Sequence, residues 1–299
     1  MMPRTRFAGV MPPVLTPLKD EDTVDAPALR RHTDSLVRAG CHGIFVCGST
    51  GEGPNLTLRP WQEAVEAVVE AVAGRVPVYA GAIEVSLART KEKLDMLGTL
   101  GADAAVITAP FYFRHEGADL LEYFRRAADA SPVDVLLYNI PQMVACDIPA
   151  DLILEAAEIE RIIGVKDSSG NWQLMQTMLQ QRTRDDFEIL CGSELMMGAA
   201  VLFGADGIIP GSANFKPALT IALYEAAKSG DRERTAELQQ KLARLREFYR
   251  EARSPFVAMK AACEMLNISG PATSFAYGAP TARDMERIRE ILEREGLLN

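Results

Sequence analysis

The sequence predicts a (β/α)8 barrel followed by a C-terminal helical extension. Short runs of β-branched and apolar residues alternate with longer amphipathic segments, and this unit occurs eight times within about 230 residues. Strands of about five residues separated by helices of ten or more imply right-handed crossovers and a parallel sheet covered on both faces. Eight such units suit a closed barrel of ordinary size. A doubly wound open sheet is the alternative, but it requires a glycine fingerprint after the first strand, which here ends in LTPL.

The eight units can be followed in order along the chain. The apolar segments predicted as strands are GVMPPVLTPL, GIFVCGST, VPVYAGA, DAAVITAP, VDVLLYN, IIGVKDS, FEILCGS and DGIIPGS. The amphipathic segments predicted as helices after them are APALRRHTDSLVRAG, LRPWQEAVEAVVEAVAG, SLARTKEKLDMLGTLG, ADLLEYFRRAADAS, PADLILEAAEI, WQLMQTMLQQR, LMMGAAVLFG and KPALTIALYEAAKSG. Three helical segments without strands between them follow, RERTAELQQKLARLREFYREA, SPFVAMKAACEMLN and TARDMERIREILEREG. The chain is therefore predicted to divide into a barrel catalytic domain, residues 1–230, and a helical region packed on it, residues 231–299.

Composition and charge exclude several classes of function. The 299 residues are 48% hydrophobic with a formal net charge of −9, and Lys and Arg are scattered, so no nucleic-acid or membrane partner is expected. The five cysteines form no CxxC pair and the three histidines have no metal-ligand spacing, which favours a reduced, cytoplasmic protein without a metal site. Prolines interrupt the apolar run near the N-terminus, and no run of roughly 18 apolar residues occurs, so neither a signal peptide nor a membrane span is predicted.

Lys166 ends the sixth predicted strand, IIGV, at the barrel face where active sites lie. The plain interpretation is a solvated charge at a strand exit. A cavity partly lined by apolar residues would instead lower its pKa and supply the neutral amine that Schiff-base chemistry needs. The other lysines considered are predicted to lie in loops or on polar helix faces: Lys19, Lys91, Lys93, Lys216, Lys228 and Lys241.

Two further strand ends are predicted to meet Lys166. Tyr138 ends the fifth strand, and adjacent parallel strands lie about 4.8 Å apart, so its phenol could move protons at a carbinolamine, or could simply plug the barrel end. The GSTGEG turn, residues 48–53, lacks the GK[ST] of a phosphate loop. Its hydroxyls and backbone N–H groups at a helix start suit a small carboxylate, although Ser49 or Thr50 could equally satisfy the turn itself.

Three other polar residues near the barrel mouth are interpreted as structural. Glu52 is predicted to be a charge at a helix N-terminus rather than a general base. Cys47 and Cys191 are predicted to be small buried hydrophobic residues, because no histidine is placed to make either one a thiolate.

Four motifs, taken together, resemble one known family. GSTGEG, LYNIP (137–141), GVKDSSG (164–170) and GADGIIPGSANFKP (204–217) occur in an order and spacing similar to those of the dihydrodipicolinate synthase / N-acetylneuraminate lyase family of class I lyases. The resemblance covers essentially the whole chain. It implies that Lys166 forms a Schiff base with pyruvate or another 2-keto acid, that no cofactor is needed, and that the protein is a homotetramer built as a dimer of dimers.

The resemblance also implies roles for individual residues. Tyr138 resembles the catalytic phenol, Thr50 would hold the keto-acid carboxylate, and Ser49 would belong to a proton relay. Tyr112 of APFYF matches the tyrosine that, in synthases, completes this relay from a neighbouring subunit. Ile209 matches a residue whose backbone meets the bound pyruvate unit. The predicted substrate-binding residues are in full Ser49, Thr50, Ile209 and Gly192, the last in the CGSE that ends strand seven.

The departures from the family pattern concern the second substrate. Met143 stands where dihydrodipicolinate synthases carry an arginine for a second carboxylate, and a thioether cannot replace that charge. Glu194 and Leu195 stand where sialic-acid lyases carry two acidic residues, and Gly211 stands where they carry a serine. The predicted function is therefore a Schiff-base-forming aldolase or dehydratase for a 2-keto acid, such as a 2-keto-3-deoxy sugar acid. The alternatives are a dihydrodipicolinate synthase that uses another cation, such as Arg114, and a keto-acid-binding protein without catalysis.

Overall fold

A computed structural model describes residues 7–298 and contains, in that range, eight strands that are each parallel to their neighbours. The strands are β1 (Gly9–Val10), β2 (Ile44–Val46), β3 (Val78–Gly81), β4 (Ala104–Thr108), β5 (Asp134–Asn139), β6 (Ile162–Asp167), β7 (Glu188–Cys191) and β8 (Gly207–Ile208). The sheet runs in the order β1-β8-β7-β6-β5-β4-β3-β2. The predicted (β/α)8 fold with its C-terminal helices is confirmed.

The helices of the described range alternate with the strands and then continue alone. They are α1 (Ala26–Arg38), α2 (Leu58–Val72), α3 (Leu87–Leu100), α4 (Gly117–Ala130), α5 (Pro141–Val144), α6 (Ala150–Ala156), α7 (Trp172–Gln181), α8 (Met197–Leu202), α9 (Pro217–Lys228), α10 (Arg232–Leu245), α11 (Pro255–Met265) and α12 (Ala282–Arg294). Two 3-10 turns span Gly211–Asn214 and Arg246–Arg250. None of the helices between residues 7 and 298 combines the length and apolarity needed to cross a bilayer.

The barrel is closed by proline-containing backbone rather than by a regular ladder. The sequence predicts a first strand through LTPL, but β1 ends at Val10, because Pro12 and Pro13 have no N–H to donate. The chain nevertheless stays alongside β2. The Phe45 N–H donates to the Pro12 carbonyl at 2.9 Å, and the Val14 N–H donates to the Phe45 carbonyl at 2.9 Å. These two hydrogen bonds complete the circle between the first and second strands.

The helices cover the barrel with their apolar faces, and some of them begin at a residue whose side chain caps the first turn. Asp25 caps α1 by accepting a hydrogen bond from the Ala28 N–H, and Thr281 with Asp284 forms a capping box at α12. A cap of this kind stabilises a helix by about 1 kcal/mol.

The C-terminal helices are bonded into the barrel. Gln239 of α10 accepts a hydrogen bond from the Gly198 N–H at 2.9 Å and donates one to the Glu194 carbonyl at 2.8 Å. Helix α11 buries its face formed by Ala258, Ala261 and other small residues. The division of the chain after residue 230 therefore stays a prediction about domains, while the packing between the two parts is intimate.

Candidate active site

Lys166 and Tyr138 lie side by side at the ends of β6 and β5, where the strand register pairs their Cα atoms. The Lys166 Nζ lies 3.8 Å from the centroid of the Tyr138 ring and 4.8 Å from the centroid of the Phe45 ring. The lysine is 4% exposed and the tyrosine 2%. The structure thus brings together the two residues that the sequence singled out first.

The surroundings of Lys166 disfavour its charged form. Burial lowers the pKa of the Lys166 ammonium, and the neighbouring Tyr138 opposes this shift in part through its charge and a hydrogen bond. Desolvation acts in this direction because an ammonium loses its hydration shell in an apolar cavity. A larger fraction of Lys166 is therefore neutral, and able to attack a carbonyl, than of an exposed lysine at the same pH.

The GSTGEG turn is a strained loop and not the start of a helix. Helix α2 begins only at Leu58, so the expectation that the turn opens a helix was wrong. Cys47 and Glu52 have left-handed backbones, with φ values of 54° and 57°. A Cβ at Gly53 would lie 2.0 Å from the Cys47 carbonyl oxygen. Because left-handed backbone costs free energy in residues other than glycine, the surrounding structure must hold this turn in place.

Glu52 supplies much of that support, and its predicted role as a helix N-terminal charge was wrong. Its carboxylate is buried, lies 3.0 Å from the Nζ of Lys260 and accepts hydrogen bonds from the Ser274 N–H at 2.6 Å and hydroxyl at 2.7 Å. Lys260 also donates to the Thr16 carbonyl, and the Thr16 hydroxyl donates to the Gly51 carbonyl at 2.7 Å. A buried ion pair from α11 therefore fixes the turn that carries Ser49 and Thr50.

The ends of β7 and β8 close around the same point. A Cβ at Gly192 would lie 3.0 Å from Cε of Lys166, so the absence of a side chain at this position leaves the room that the lysine occupies. A Cβ at Gly211 would lie 3.9 Å from the Thr50 hydroxyl oxygen. Ile209 is buried, and its N–H donates to the Cys191 carbonyl at 2.9 Å. Gly192 thus adjoins the lysine, and the substrate-binding role of Ser49, Thr50, Ile209 and Gly192 stays a prediction.

Behind Lys166 lies a polar network that sequence reasoning missed. The Asn139 side chain donates to Asp167 at 2.9 Å and to Asp147 at 3.1 Å, and accepts from the Ile148 N–H at 3.1 Å. Burial raises the pKa of the Asp167 carboxyl, against hydrogen bonds from Ser169 and Asn139. The only signal in the sequence was the adjacency of these polar residues to Tyr138 and Lys166 at two strand ends.

Tyr112 is not brought to Lys166 within one chain. Its side chain is 88% exposed and packs edge-on against Phe113, with ring centroids 5.1 Å apart. Its backbone has a φ of 83°, which is unusual for an aromatic residue and turns the side chain outward from the loop. Its relay role, which requires a second subunit, stays a prediction.

Several other residues singled out from the sequence are buried or bonded to partners within the protein. Lys93, predicted on a polar face, is instead buried on α3, 2.8 Å from a carboxylate oxygen of Glu84. Glu194 accepts a hydrogen bond from the Ser212 N–H at 2.9 Å. Cys47 and Cys191 are fully buried, as predicted, and burial raises the pKa of each thiol to about 12. The Lys93 and Glu194 side chains are thus engaged by partners within the protein, and both thiols are held in their neutral form.

A cavity of about 380 Å³ adjoins the turn and lies between the barrel and the C-terminal region. The barrel contributes Ser49, Thr108, Ile140 and Met143, among others, and the C-terminal region contributes Arg253, Phe256, Phe275 and Tyr277. Arg114, considered above as a substitute cation, does not line it, since its side chain is 74% exposed and paired with Glu116 at 2.5 Å. A larger cavity of about 720 Å³ opens around Phe7 and Glu188 at the opposite end of the barrel, away from Lys166.

Comparison with known proteins places these features in a family. A profile of the "Dihydrodipicolinate synthetase family" matches residues 6–287. The 4-hydroxy-tetrahydrodipicolinate synthase of Methanopyrus kandleri is 32% identical over 292 residues, which cover 97% of this chain and 95% of that protein. An uncharacterized DapA-like lyase of Halobacterium salinarum is 33% identical over 250 residues, covering 84% of this chain and 81% of the relative.

Solved structures agree with the sequence comparison. The dihydrodipicolinate synthase of Bacteroides thetaiotaomicron superimposes with a TM-score of 0.90 at 30% identity, covering 96% of this chain and 98% of that one. YagE of E. coli K12, solved in complex with pyruvate, superimposes with a TM-score of 0.92 at 26% identity, covering 97% and 99%. These matches place the chain among the class I lyases and synthases. The chain belongs to the dihydrodipicolinate synthetase family.

Proposed function

We propose that this lyase forms its Schiff base on Lys166, with pyruvate or a longer 2-keto acid, and then makes or breaks a bond in the attached chain. The observation that carries the proposal is the burial of Lys166 beside the Tyr138 ring, with its pKa lowered. A neutral amine next to a phenol is the pair of groups that imine formation requires.

The first steps follow from these two groups. The Lys166 amine adds to the ketone carbon of the keto acid, and a proton moves to the oxygen to give a carbinolamine. Tyr138 delivers the proton with which that oxygen leaves as water, and the product is a protonated imine. The imine then accepts the electron pair of a neighbouring C–H or C–C bond, so the proposal needs neither a metal nor an organic cofactor.

The remaining site residues bind the keto acid. Thr50 and Ser49 supply hydroxyls to its carboxylate, and Ser49 also belongs to the proton relay. Gly192 keeps the space beside Lys166 open, and the carbonyl of Ile209 is available to the substrate because its N–H is already bonded. These roles rest on the family pattern together with the convergence of the residues around Lys166.

We also propose that the enzyme is a cytoplasmic homotetramer in which Tyr112 completes the relay of a neighbouring subunit. The exposure of Tyr112 and its left-handed backbone support this, because a projecting aromatic side chain is suited to a contact outside its own chain. Sedimentation analysis of the protein would test the assembly. A fully active monomer would exclude the role of Tyr112 in a partner.

Two candidates are considered for the second substrate. The names of relatives such as the Methanopyrus kandleri synthase favour condensation of pyruvate with aspartate semialdehyde. Met143 and the outward position of Arg114 argue against it, and they favour another 2-keto acid, such as a 2-keto-3-deoxy sugar acid. A coupled assay with pyruvate and aspartate semialdehyde, run beside a panel of keto-deoxy sugar acids, separates these two candidates.

Reductive trapping tests the central claim. Borohydride with pyruvate should reduce an adduct on Lys166, identified by peptide mass mapping, and Lys166→Ala should give none. Lys241→Ala, an exposed lysine on α10, is the matched control and should trap normally. Absence of an adduct in the folded wild-type protein would reject the proposal and leave a keto-acid-binding protein without catalysis.

A further inference from the structure

We propose that the cavity beside the Schiff-base site takes a 2-keto acid with an apolar or aromatic body that ends in a distal carboxylate, and that Arg253 binds this carboxylate. The inference rests on the proposed function, because it places the keto end of the same molecule on Lys166. It concerns the far end of the substrate, where Met143 leaves no cation.

Arg253 is the only cationic side chain that lines this cavity among the residues described. In the described part of the chain it takes part in no ion pair and no hydrogen bond. Its guanidinium packs on the backbone of Gly278, where a Cβ would lie 3.2 Å from Nη1. An unpaired guanidinium held at the wall of a cavity suits a planar anion, which it can bind through two parallel hydrogen bonds.

The cavity also contains a buried hydroxyl that lacks a partner. Thr108 ends β4, is 1% exposed, and its Oγ1 makes no hydrogen bond with any described residue. The same residue lines the cavity. Because an unsatisfied buried polar group is costly, this hydroxyl is a second position where a ligand atom would be stabilised by the site.

Most of the remaining wall is apolar, which decides the body of the ligand. Phe111, Ile140, Val144, Phe256 and Phe275 contribute aliphatic and aromatic surface. The one carboxylate in the lining, Glu52, is already bonded to Lys260 and Ser274. Beyond Ser49, the uncharged polar residues of the remaining wall are few, namely Asn55, Ser254 and Tyr277, so a chain with several hydroxyls would make fewer hydrogen bonds here than in water. The cavity therefore favours a methylene or aromatic body, which narrows the 2-keto acids of the proposed function from keto-deoxy sugar acids to less hydroxylated ones.

Matched pairs of 2-keto acids test the inference by the trapping reaction itself. The pairs are 2-ketoglutarate with 2-ketopentanoate, and 2-ketoadipate with 2-ketohexanoate, which differ only in the terminal carboxylate. The measurement is the concentration at which cyanoborohydride trapping on Lys166 is half-saturated. Pyruvate serves as the reference, since it has no distal group that Arg253 could bind. The proteins are the wild type, Arg253→Gln, Arg253→Lys and the control Arg250→Gln, which removes an exposed arginine outside the cavity.

At one of the two lengths, the dicarboxylic acid should half-saturate the wild type at about a tenfold lower concentration than its monocarboxylic partner, as a charged hydrogen bond implies. Arg253→Gln should abolish this preference, Arg253→Lys should retain part of it, and Arg250→Gln should keep all of it. Pyruvate should be trapped equally in the four proteins. Three outcomes would overturn this inference and leave the Schiff base on Lys166 standing. The two members of each pair could half-saturate the wild type at equal concentrations, or the longer acids could fail to trap while pyruvate traps. The preference for the dicarboxylic acid could also survive Arg253→Gln. A wild type that traps neither pyruvate nor any of the four longer acids would instead reject the Schiff base on Lys166, and the inference with it.

Discussion

Replacement of Lys260 by methionine should destabilise the protein and loosen the GSTGEG turn. Lys260 and Glu52 are 1% and 0% exposed at their side chains, and their charged atoms lie 3.0 Å apart. Methionine fills a similar volume but leaves the Glu52 carboxylate buried with only Ser274 as a partner. Breaking a buried ion pair on one side costs about 3–5 kcal/mol.

The expected shift in melting temperature follows from the size of the chain. An unfolding entropy of about 2.1 cal/mol/K per residue gives about 0.6 kcal/mol/K for this protein, so the loss corresponds to a fall of about 5–8 °C. Because the turn carries Ser49 and Thr50, the pyruvate concentration that half-saturates trapping on Lys166 should rise as well. Calorimetry and denaturant titration measure the first effect, and the trapping assay measures the second.

A double-mutant cycle separates the ion pair from general damage to the core. Glu52→Gln combined with Lys260→Met leaves no uncompensated charge, so the double variant should recover much of the stability lost by Lys260→Met alone. If the two single losses simply add in the double variant, the two side chains are not coupled. The assignment of Lys260 as the support of the turn would then fail.

Three further outcomes are expected. Tyr138→Phe should lower turnover by a factor of about 10²–10⁴ while keeping the fold, since it removes only the proton-transferring hydroxyl. Turnover is measured with the substrate that the screen identifies, and an unchanged rate would exclude this role of Tyr138. Lys166→Met should raise the melting temperature at neutral pH, and its advantage should shrink as pH rises towards the ordinary lysine pKa of about 10.4. The sign follows because the pKa of Lys166 is lowered on folding, so the unfolded chain binds more protons in that window and wild-type stability increases with pH; an advantage that does not change with pH would contradict it. Gly192→Ala should abolish the trapping of pyruvate on Lys166 in a folded protein, because its Cβ would lie 2.1 Å from the Ser168 Oγ and 3.0 Å from the Lys166 Cε. The control Gly270→Ala, whose Cβ would have nothing within 4 Å, should trap pyruvate normally. Mass spectrometry of the reduced adduct measures both.

The parts of the site that the sequence predicted are those determined by local patterns. Lys166 and Tyr138 follow apolar runs of strand length, and neighbouring parallel strands bring such ends together whatever else the chain does. The extent of β1 was overpredicted, because Pro12 and Pro13 leave the segment beside β2 but break its ladder. The pattern of apolar residues alone does not distinguish a regular strand from an extended segment that lies beside a strand without a regular ladder.

The parts that the sequence did not predict depend on contacts between distant segments. Glu52 and Lys260 are far apart in the chain, and each alone has the appearance of an ordinary surface charge. Arg253 and Thr108 likewise belong to different regions and meet only around the cavity. No periodicity records such pairs, because they arise from how the C-terminal helices dock on the barrel.

That docking sets the order in which the protein can become active during its synthesis. All eight strands have been made once residue 208 is added, yet the turn beside Lys166 gains its ionic and hydroxyl partners only from residues 260 and 274. A nascent chain with a complete set of strands would therefore lack the partners that hold Glu52 and the turn in place. Catalytic competence should appear late, once α11 and Ser274 have left the ribosome and docked on the barrel.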